Sequence, residues 1–237
     1  MELVKDQWLT EQLGKDAYNV TLSTKDDATE IDTFDIVAPH HSFFTCKVAG
    51  AEVQTIQALL REGFYPVVVS VTLRRSAAQP TLPLRSKSVR LAEATDWIDV
   101  AKIAASCFTH DRFHADPHIS KETADCIKSK WAREGLMEAT SRCPHLMKML
   151  VSQTLGYVTG FLLMKKEGEQ WRLDLIGVYP IHQGQGVGKA LVNEFLVQAG
   201  SCDVMVTTQL TNTASLQLYL RCGFQIQESQ YVLHYHS

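Results

Sequence analysis

The chain has 237 residues, 45% hydrophobic and 21% charged, with 23 Lys and Arg against 26 Asp and Glu. That length and balance suit a soluble globular protein with a full core. The formal charge of −3 argues against nucleic acid as the main partner, because such binders carry a basic excess.

The first residues, "MELVKDQWLTEQLGKD", hold no apolar stretch of the kind a secretory signal needs. The longest apolar run, "YVTGFLLM", is strand-sized, so no membrane span is expected. Six scattered cysteines without a C-x-x-C pair fit a reducing compartment, which predicts a cytoplasmic protein.

In chain order, "SFFTCKV" reads as a strand, "IQALLREGF" as an amphipathic helix with a glycine C-cap, and "YPVVVSVTL" as a second strand. The stretch "SAAQPTLPLRSKS" at 76–88 reads as a linker. It divides a small N-terminal domain, 1–78, from a larger one, 88–237, with the linker itself at 79–87. "SVRLAEATDW" predicts a strand and a helix start at Thr95, continuing through "IDVAKIAASCF". An irregular insert is expected over 109–145. "LMKMLVSQ", "GYVTGFLLMKK" and "QWRLDLIGVY" are separated by turns short enough to require an antiparallel meander. "GKALVNEFLVQAG" has apolar residues at 187, 191, 192, 195 and 196, a helix closed by Gly200. The end of the chain repeats the beginning: "LQLYLRCGF" follows "IQALLREGF" at an offset of 160, each between two strand-like runs. The class is therefore α/β, with a β-α-β unit in each half.

Glycine is dense in "GVYPIHQGQGVGKAL", 177–191, where backbone freedom suggests a close approach to something. A P-loop is excluded, since Gln183 occupies its first glycine and Ala190 follows Lys189. A dinucleotide fingerprint also fails, with Lys189 on its last glycine. What remains is Gln183-Gly184-Gln185-Gly186-Val187-Gly188 on a strand-to-helix turn, where main-chain N–H groups and the helix dipole can converge on a pyrophosphate.

With "LDLIGV", Pro180, this Q-x-x-G-x-G turn and "TTQLTNTASLQLYLRCGF", residues 88–237 resemble the GNAT superfamily of N-acetyltransferases. The resemblance implies a mixed, mostly antiparallel sheet flanked by helices, with the N-terminal domain a partial copy that packs rather than catalyses. It implies acetyl-CoA as cosubstrate, its pyrophosphate on the amides of Gln183, Gly184, Gln185, Gly186, Val187, Gly188 and Lys189. Ile176 and Val178 would offer main-chain partners to pantetheine, and the Val178 N–H would polarise the thioester carbonyl. Asn212, Ser215, Tyr219, Gly223 and Phe224 fill the downstream motif, with Asn212 on the cofactor side.

Within the insert, "SCFTHDRFHADP" followed by Trp131 resembles the dTDP-fucosamine acetyltransferase group. That implies the amino group of a nucleotide-linked amino-dideoxy sugar as acceptor and a homodimer as assembly. Arg112 suits phosphates or sugar hydroxyls; Phe113 either packs on the sugar or fills core; His114 either binds and deprotonates the acceptor or is a solvated loop residue. His110, His114 and His118 recur every four residues, but Pro117 interrupts the helix that would align them, and no metal is expected. Tyr219 is the expected general acid, since a phenol of pKa about 10 protonates a thiolate near 8.5 only slightly uphill. Asp174 is a second base behind His114, or an ion-pair partner of Arg172 or Lys165. Another small amine as acceptor, or a non-catalytic acyl-coenzyme A sensor, remains compatible with these residues.

Overall fold

The computed structural model describes residues 1–22, 31, 39–78, 86, 88–142 and 145–237. Apart from Ser86, the expected linker 79–87 lies outside them. The first half contains β1 (Glu2–Lys5), α1 (Gln7–Leu13), β2 (Asp16–Thr21), β3 (Ser42–Ala49), α2 (Val53–Arg61) and β4 (Tyr65–Arg75). Next come β5 (Val89–Leu91), α3 (Trp97–Cys107), α4 (Lys121–Met137), β6 (Met147–Thr154), β7 (Tyr157–Glu167) and β8 (Gln170–Val178). The chain ends with α5 (Val187–Ala199), β9 (Val204–Gln209), α6 (Thr213–Arg221) and β10 (Gln225–His236).

Among the described residues ten strands join one sheet, in the order β1-β2-β3-β10-β4-β9-β8-β7-β6-β5. Only β2/β3 and β8/β9 pair in parallel among the described residues. The meander β6-β7-β8 is antiparallel, as its short turns require. Its side chains alternate between two cores. Leu150, Leu162 and Met164 pack with Leu191, Val192, Phe195 and Leu196 of α5, while Met149, Val151, Phe161 and Leu163 pack with Val100, Ile103 and Ala104 of α3 and Ala132 and Leu136 of α4. Burial on both faces explains the near-continuous apolar run of β7.

The internal echo is a structural repeat. β3-α2-β4 and β9-α6-β10 are the two copies, with helices starting at Val53 and Thr213. The copies interdigitate, because β10 lies between β3 and β4 while β4 lies between β10 and β9, all antiparallel. The sheet therefore runs unbroken from the first 78 residues into the last strand.

The insert expected to be irregular holds the 17-residue helix α4. Its apolar stripe is thin, but Ser120 caps it, accepting from Thr123 N at 3.2 Å. Ahead of it, Asp116 ties the insert to both halves. Its buried carboxylate takes His234 Nδ1 (2.6 Å) and His236 Nε2 (2.9 Å) on Oδ2, with the Tyr65 hydroxyl and the His118 N–H, both at 2.8 Å, donating to Oδ1. The donor atoms of Asp116, His234 and His236 lie within 4.8 Å of one another. Hydrogen bonds account for this closeness, and Lys15 Nζ at 2.7 Å from His236 Nδ1 sets a further nitrogen beside the group.

These bonds hold the Asp116 carboxyl far below the usual carboxylate range, against burial, while burial lowers His234 to about 4. A depressed carboxylate stabilises the fold above its unfolded pKa, and a depressed histidine withdraws stability as pH falls below its own unfolded value, about 6.5. Stability should therefore decline from about pH 6.5 down toward pH 4. Asp116→Asn should cost about 3 kcal/mol at pH 7. Denaturant unfolding of both proteins across that range checks the two expectations.

Candidate active site

β8 follows β9 only from Trp171 to Leu173, where the pairs are Trp171–Val204, Arg172–Met205 and Leu173–Val206. The next residue, Asp174, is an extra residue in the β7/β8 ladder, which pairs Met164 with Leu173 and Leu163 with Leu175. Such a bulge bends the strand, and beyond it β8 parts from β9. Tyr179 N donates to Thr159 O at 2.9 Å. Alternation along the ladder then turns the N–H and C=O of Ile176 and Val178 away from β7, into the opening. Cys107 packs against this part of β8, its sulfur 2.8 Å from where a Cβ on Gly177 would sit, and burial pushes its thiol up to about 12. The Val178 carbonyl accepts from Gln183 Nε2 at 3.1 Å.

The glycine turn begins directly beyond β8. Gly184 (φ 73°) and Gly186 (φ 85°) are left-handed, with open space where a Cβ would project. Gly186 is the N-cap of α5, and the first intrahelical bond is Ala190 N to Gly186 O. The amides of Val187, Gly188 and Lys189 therefore have no acceptor within the helix. Gly188 packs against α6, where an added Cβ would come 3.3 Å from Leu218. The side chains of Gln183 and Gln185 serve the turn itself, Gln185 Nε2 donating to Ile181 O at 2.9 Å.

On the face carrying α1, α3 and α4, the middle strands are uncovered and floor a cavity of about 490 Å³. The register sets its floor, since residues opposite one another share a face. Lys47, Val232 and Val68 form one rung, Gln230, Ser70 and Gln209 the next, and Glu228, Thr72 and Thr207 a third. Arg172, Asp174 and Ile176 of β8 form one wall; Phe108, Arg112, Phe113, Lys128 and Trp131 form another. Asn212, Ser215 and Tyr219 close the end toward Ile176.

Of the residues expected from sequence, Ile176, Asn212, Tyr219, Arg112, Phe113 and Asp174 share this cavity. Asn212 also caps α6, its Oδ1 accepting from Ser215 N at 3.1 Å. Tyr219 is 2% exposed, beside Phe224, and its hydroxyl makes no hydrogen bond among the described residues. Burial raises its pKa. Arg112 donates from Nη1 to Thr45 Oγ1 at 2.8 Å and lies over Phe113, which is also core.

His114 stands apart, and the expectation that it serves the acceptor is corrected. Its Nδ1 is 2.6 Å from Asp111 Oδ2 and its Nε2 is 2.9 Å from Asp125 Oδ1. Two ionised carboxylates only accept, so both ring nitrogens carry protons. Those bonds, Asp111 foremost, raise its pKa. It pins the insert to α4 with no lone pair for a substrate proton. His110 and His118 do not converge with it on a common donor set among the described residues.

Asp174 is the carboxylate facing the cavity from the bulge. Trp131 donates from Nε1 to its Oδ2 at 2.9 Å, and burial, the larger influence, pushes its carboxyl up. Lys128, 5% exposed, sits among Phe108, Phe113 and Trp131, 3.7 Å from Asp111 Oδ1, and burial lowers its pKa. Sequence reasoning missed Lys128 and Arg172 as cavity residues, and all of the N-terminal half's contribution: Asn19, Lys47, Val68, Ser70 and Thr72. No local motif marks them; Lys47, Val68, Ser70 and Thr72 meet the cavity through strand interdigitation, the others through the packing of α4, β8 and β2 around it.

The family model described as "Acetyltransferase (GNAT) family" matches residues 97–224. The Escherichia coli O6:H1 protein named dTDP-fucosamine acetyltransferase is 24% identical over 205 residues, 85% of each chain. The Bacillus subtilis spore coat polysaccharide biosynthesis protein SpsD is 28% identical over 145 residues, 60% of this chain; that match spans about half (48%) of SpsD. Among solved structures, a GCN5-related N-acetyltransferase from Sphaerobacter thermophilus superposes with a TM-score of 0.66 at 13% identity. The match covers 99% of this chain and 75% of that one, and it shows a shared fold. A family model spanning more than half of the chain, over a sheet that opens beside a glycine turn, establishes that the protein belongs to the GNAT family of acetyltransferases.

Proposed function

We propose that the protein transfers an acetyl group from acetyl-CoA directly to the amino group of a nucleotide-linked amino-dideoxy sugar. The observation that carries the cosubstrate is the parting of β8 from β9, which leaves inner-strand main-chain groups of Ile176 and Val178 to be completed by an added extended chain. Pantetheine is such a chain. The amides from Gly184 to Lys189 take the pyrophosphate, helped by the positive end of α5. Gln183 releases the Val178 carbonyl as the cosubstrate pairs there. The acceptor reading is supported by a polar, cation-bearing cavity that meets the opening at Ile176 and Tyr219, and by the name of the Escherichia coli relative.

In the reaction, the Val178 N–H, turned away from β7 into the opening, stabilises the oxyanion. Asp174 takes the place expected of His114 as acceptor of the amine proton, directly or through water. Its raised pKa brings it nearer the working range of a base. Tyr219 protonates the departing thiolate. Burial lifts the phenol, but the same burial lifts a thiol beside it, as it does Cys107 and Cys222, so the transfer stays near balance.

Three substitutions test these roles. Gly186→Val places a β-branched residue at φ 85° and should abolish coenzyme A binding by titration calorimetry while the circular dichroism spectrum stays unchanged. Tyr219→Phe should lower kcat about 100-fold with unfolding unaffected, because its hydroxyl has no partner to lose. Asp174→Asn should lower kcat/KM by a similar factor, about 100-fold, and remove the acid limb of its pH profile, which in the native enzyme lies above the ordinary aspartate range. A wild-type protein that binds acetyl-CoA and acetylates no amine in a panel of nucleotide-linked amino sugars, amino acids and aminosugar antibiotics would point to a sensor instead.

A further inference from the structure

Resting on the acceptor reading above, we infer that Lys47, Arg112 and Arg172 form a phosphate subsite that holds the diphosphate of the acceptor, so that the N-terminal half takes part in substrate binding. The three come from β3, the insert and β8, and all line the one cavity. Burial lowers the Lys47 pKa most, and the charges of Arg112 and Arg172 across the same cavity lower it further, so the three cations feel one another. Like charges gathered on a cavity wall cost stability unless an anion joins them.

The cavity's own carboxylates leave that need unmet. Asp111 is held by His114 and by the Phe113 N–H at 3.0 Å. Asp174, on the same wall as Arg172, is held by Trp131 from the facing wall. Glu167 takes Arg172 Nε at 2.8 Å, and Thr207 Oγ1 takes Arg172 Nη1 at 3.2 Å, which leaves Nη2 unused. Glu228 faces Lys47 across the floor without bonding to it. Lys47 makes no hydrogen bond or ion pair among the described residues, and Arg112 spends one N–H, on the Thr45 hydroxyl. Three cations thus present unspent donors to one space, two of them planar forks suited to phosphate. The glycine turn for the coenzyme's own diphosphate lies beyond the other end of the cavity, past Val178. The ligand class is accordingly a phosphate-ester acceptor, with its amine directed toward Asp174 and Tyr219 and its diphosphate toward β3.

The test is titration calorimetry of the full chain saturated with coenzyme A, which fills the turn, using thymidine diphosphate, inorganic pyrophosphate and thymidine as probes. Lys47→Ala is the variant, since an exposed, unpartnered side chain is removed without harm to folding; Lys47→Arg is the conservative control. Thymidine diphosphate and pyrophosphate should bind the native protein, and thymidine at least about ten-fold more weakly. Lys47→Ala should weaken thymidine diphosphate about ten-fold, the loss of one charge-assisted hydrogen bond, and Lys47→Arg should restore it. The KM for acetyl-CoA should not move. Equal affinity of native protein and Lys47→Ala for thymidine diphosphate overturns the subsite. Binding through Lys47 without acetylation of any nucleotide-linked amino sugar leaves the subsite standing and rejects the acceptor reading. Acetylation of such a sugar with unchanged KM in Lys47→Ala does the reverse.

Discussion

An inner strand that loses its neighbour partway along must leave main-chain donors and acceptors facing a gap, and this protein is arranged around one such loss. β8 is paired on both sides through Leu173, then bulges at Asp174 and continues with β7 alone. Unpaired backbone groups in a sheet interior are costly without a partner. Here they face an opening bordered by Cys107, Gln183 and the start of α5, so an extended ligand can supply what β9 does not. The bulge performs two tasks at once, since it ends the pairing and aims the Asp174 carboxylate into the cavity.

The repeat gives that opening its second wall. Had each β-α-β copy folded upon itself, β4 would have stayed with the first half. Because the copies exchange strands, β4 lies against β9 and sends Val68, Ser70 and Thr72 into the same cavity as Thr207 and Gln209. The copies also diverge where chemistry differs. Asn212 caps its helix and Tyr219 meets the cavity, whereas Glu52 makes no capping bond and Leu59 is buried core.

Charge in the insert is organised around carboxylates that hold the loop in place. Asp111 gathers His114, the Phe113 amide and Lys128; Asp116 gathers two histidines and a tyrosine from distant strands. These bonds place Arg112 and Phe113 on the cavity wall while keeping the neighbouring histidines out of it. A histidine between two aspartates is a clamp, and for that reason a poor base.

Much of the architecture was legible in the residues. The meander shows in its short turns, α5 in its apolar spacing, the strand-to-helix turn in its glycines and the repeat in its offset, because each depends on neighbours along the chain. The family resemblance likewise marked Tyr219 and Ile176. The helix α4 was not legible, since its stripe is thin and it is held by packing against α3 and the meander. Nor were the roles of His114, Lys47, Lys128 and Arg172, whose meaning depends on what stands beside them. Periodicity and turn chemistry are local and can be read from one strand of text. Strand exchange and the Asp116–His234 bond join residues more than a hundred positions apart. The pairs of His114 and Lys128 are nearer in the chain but made by the packed insert, and only the folded structure decided which would meet.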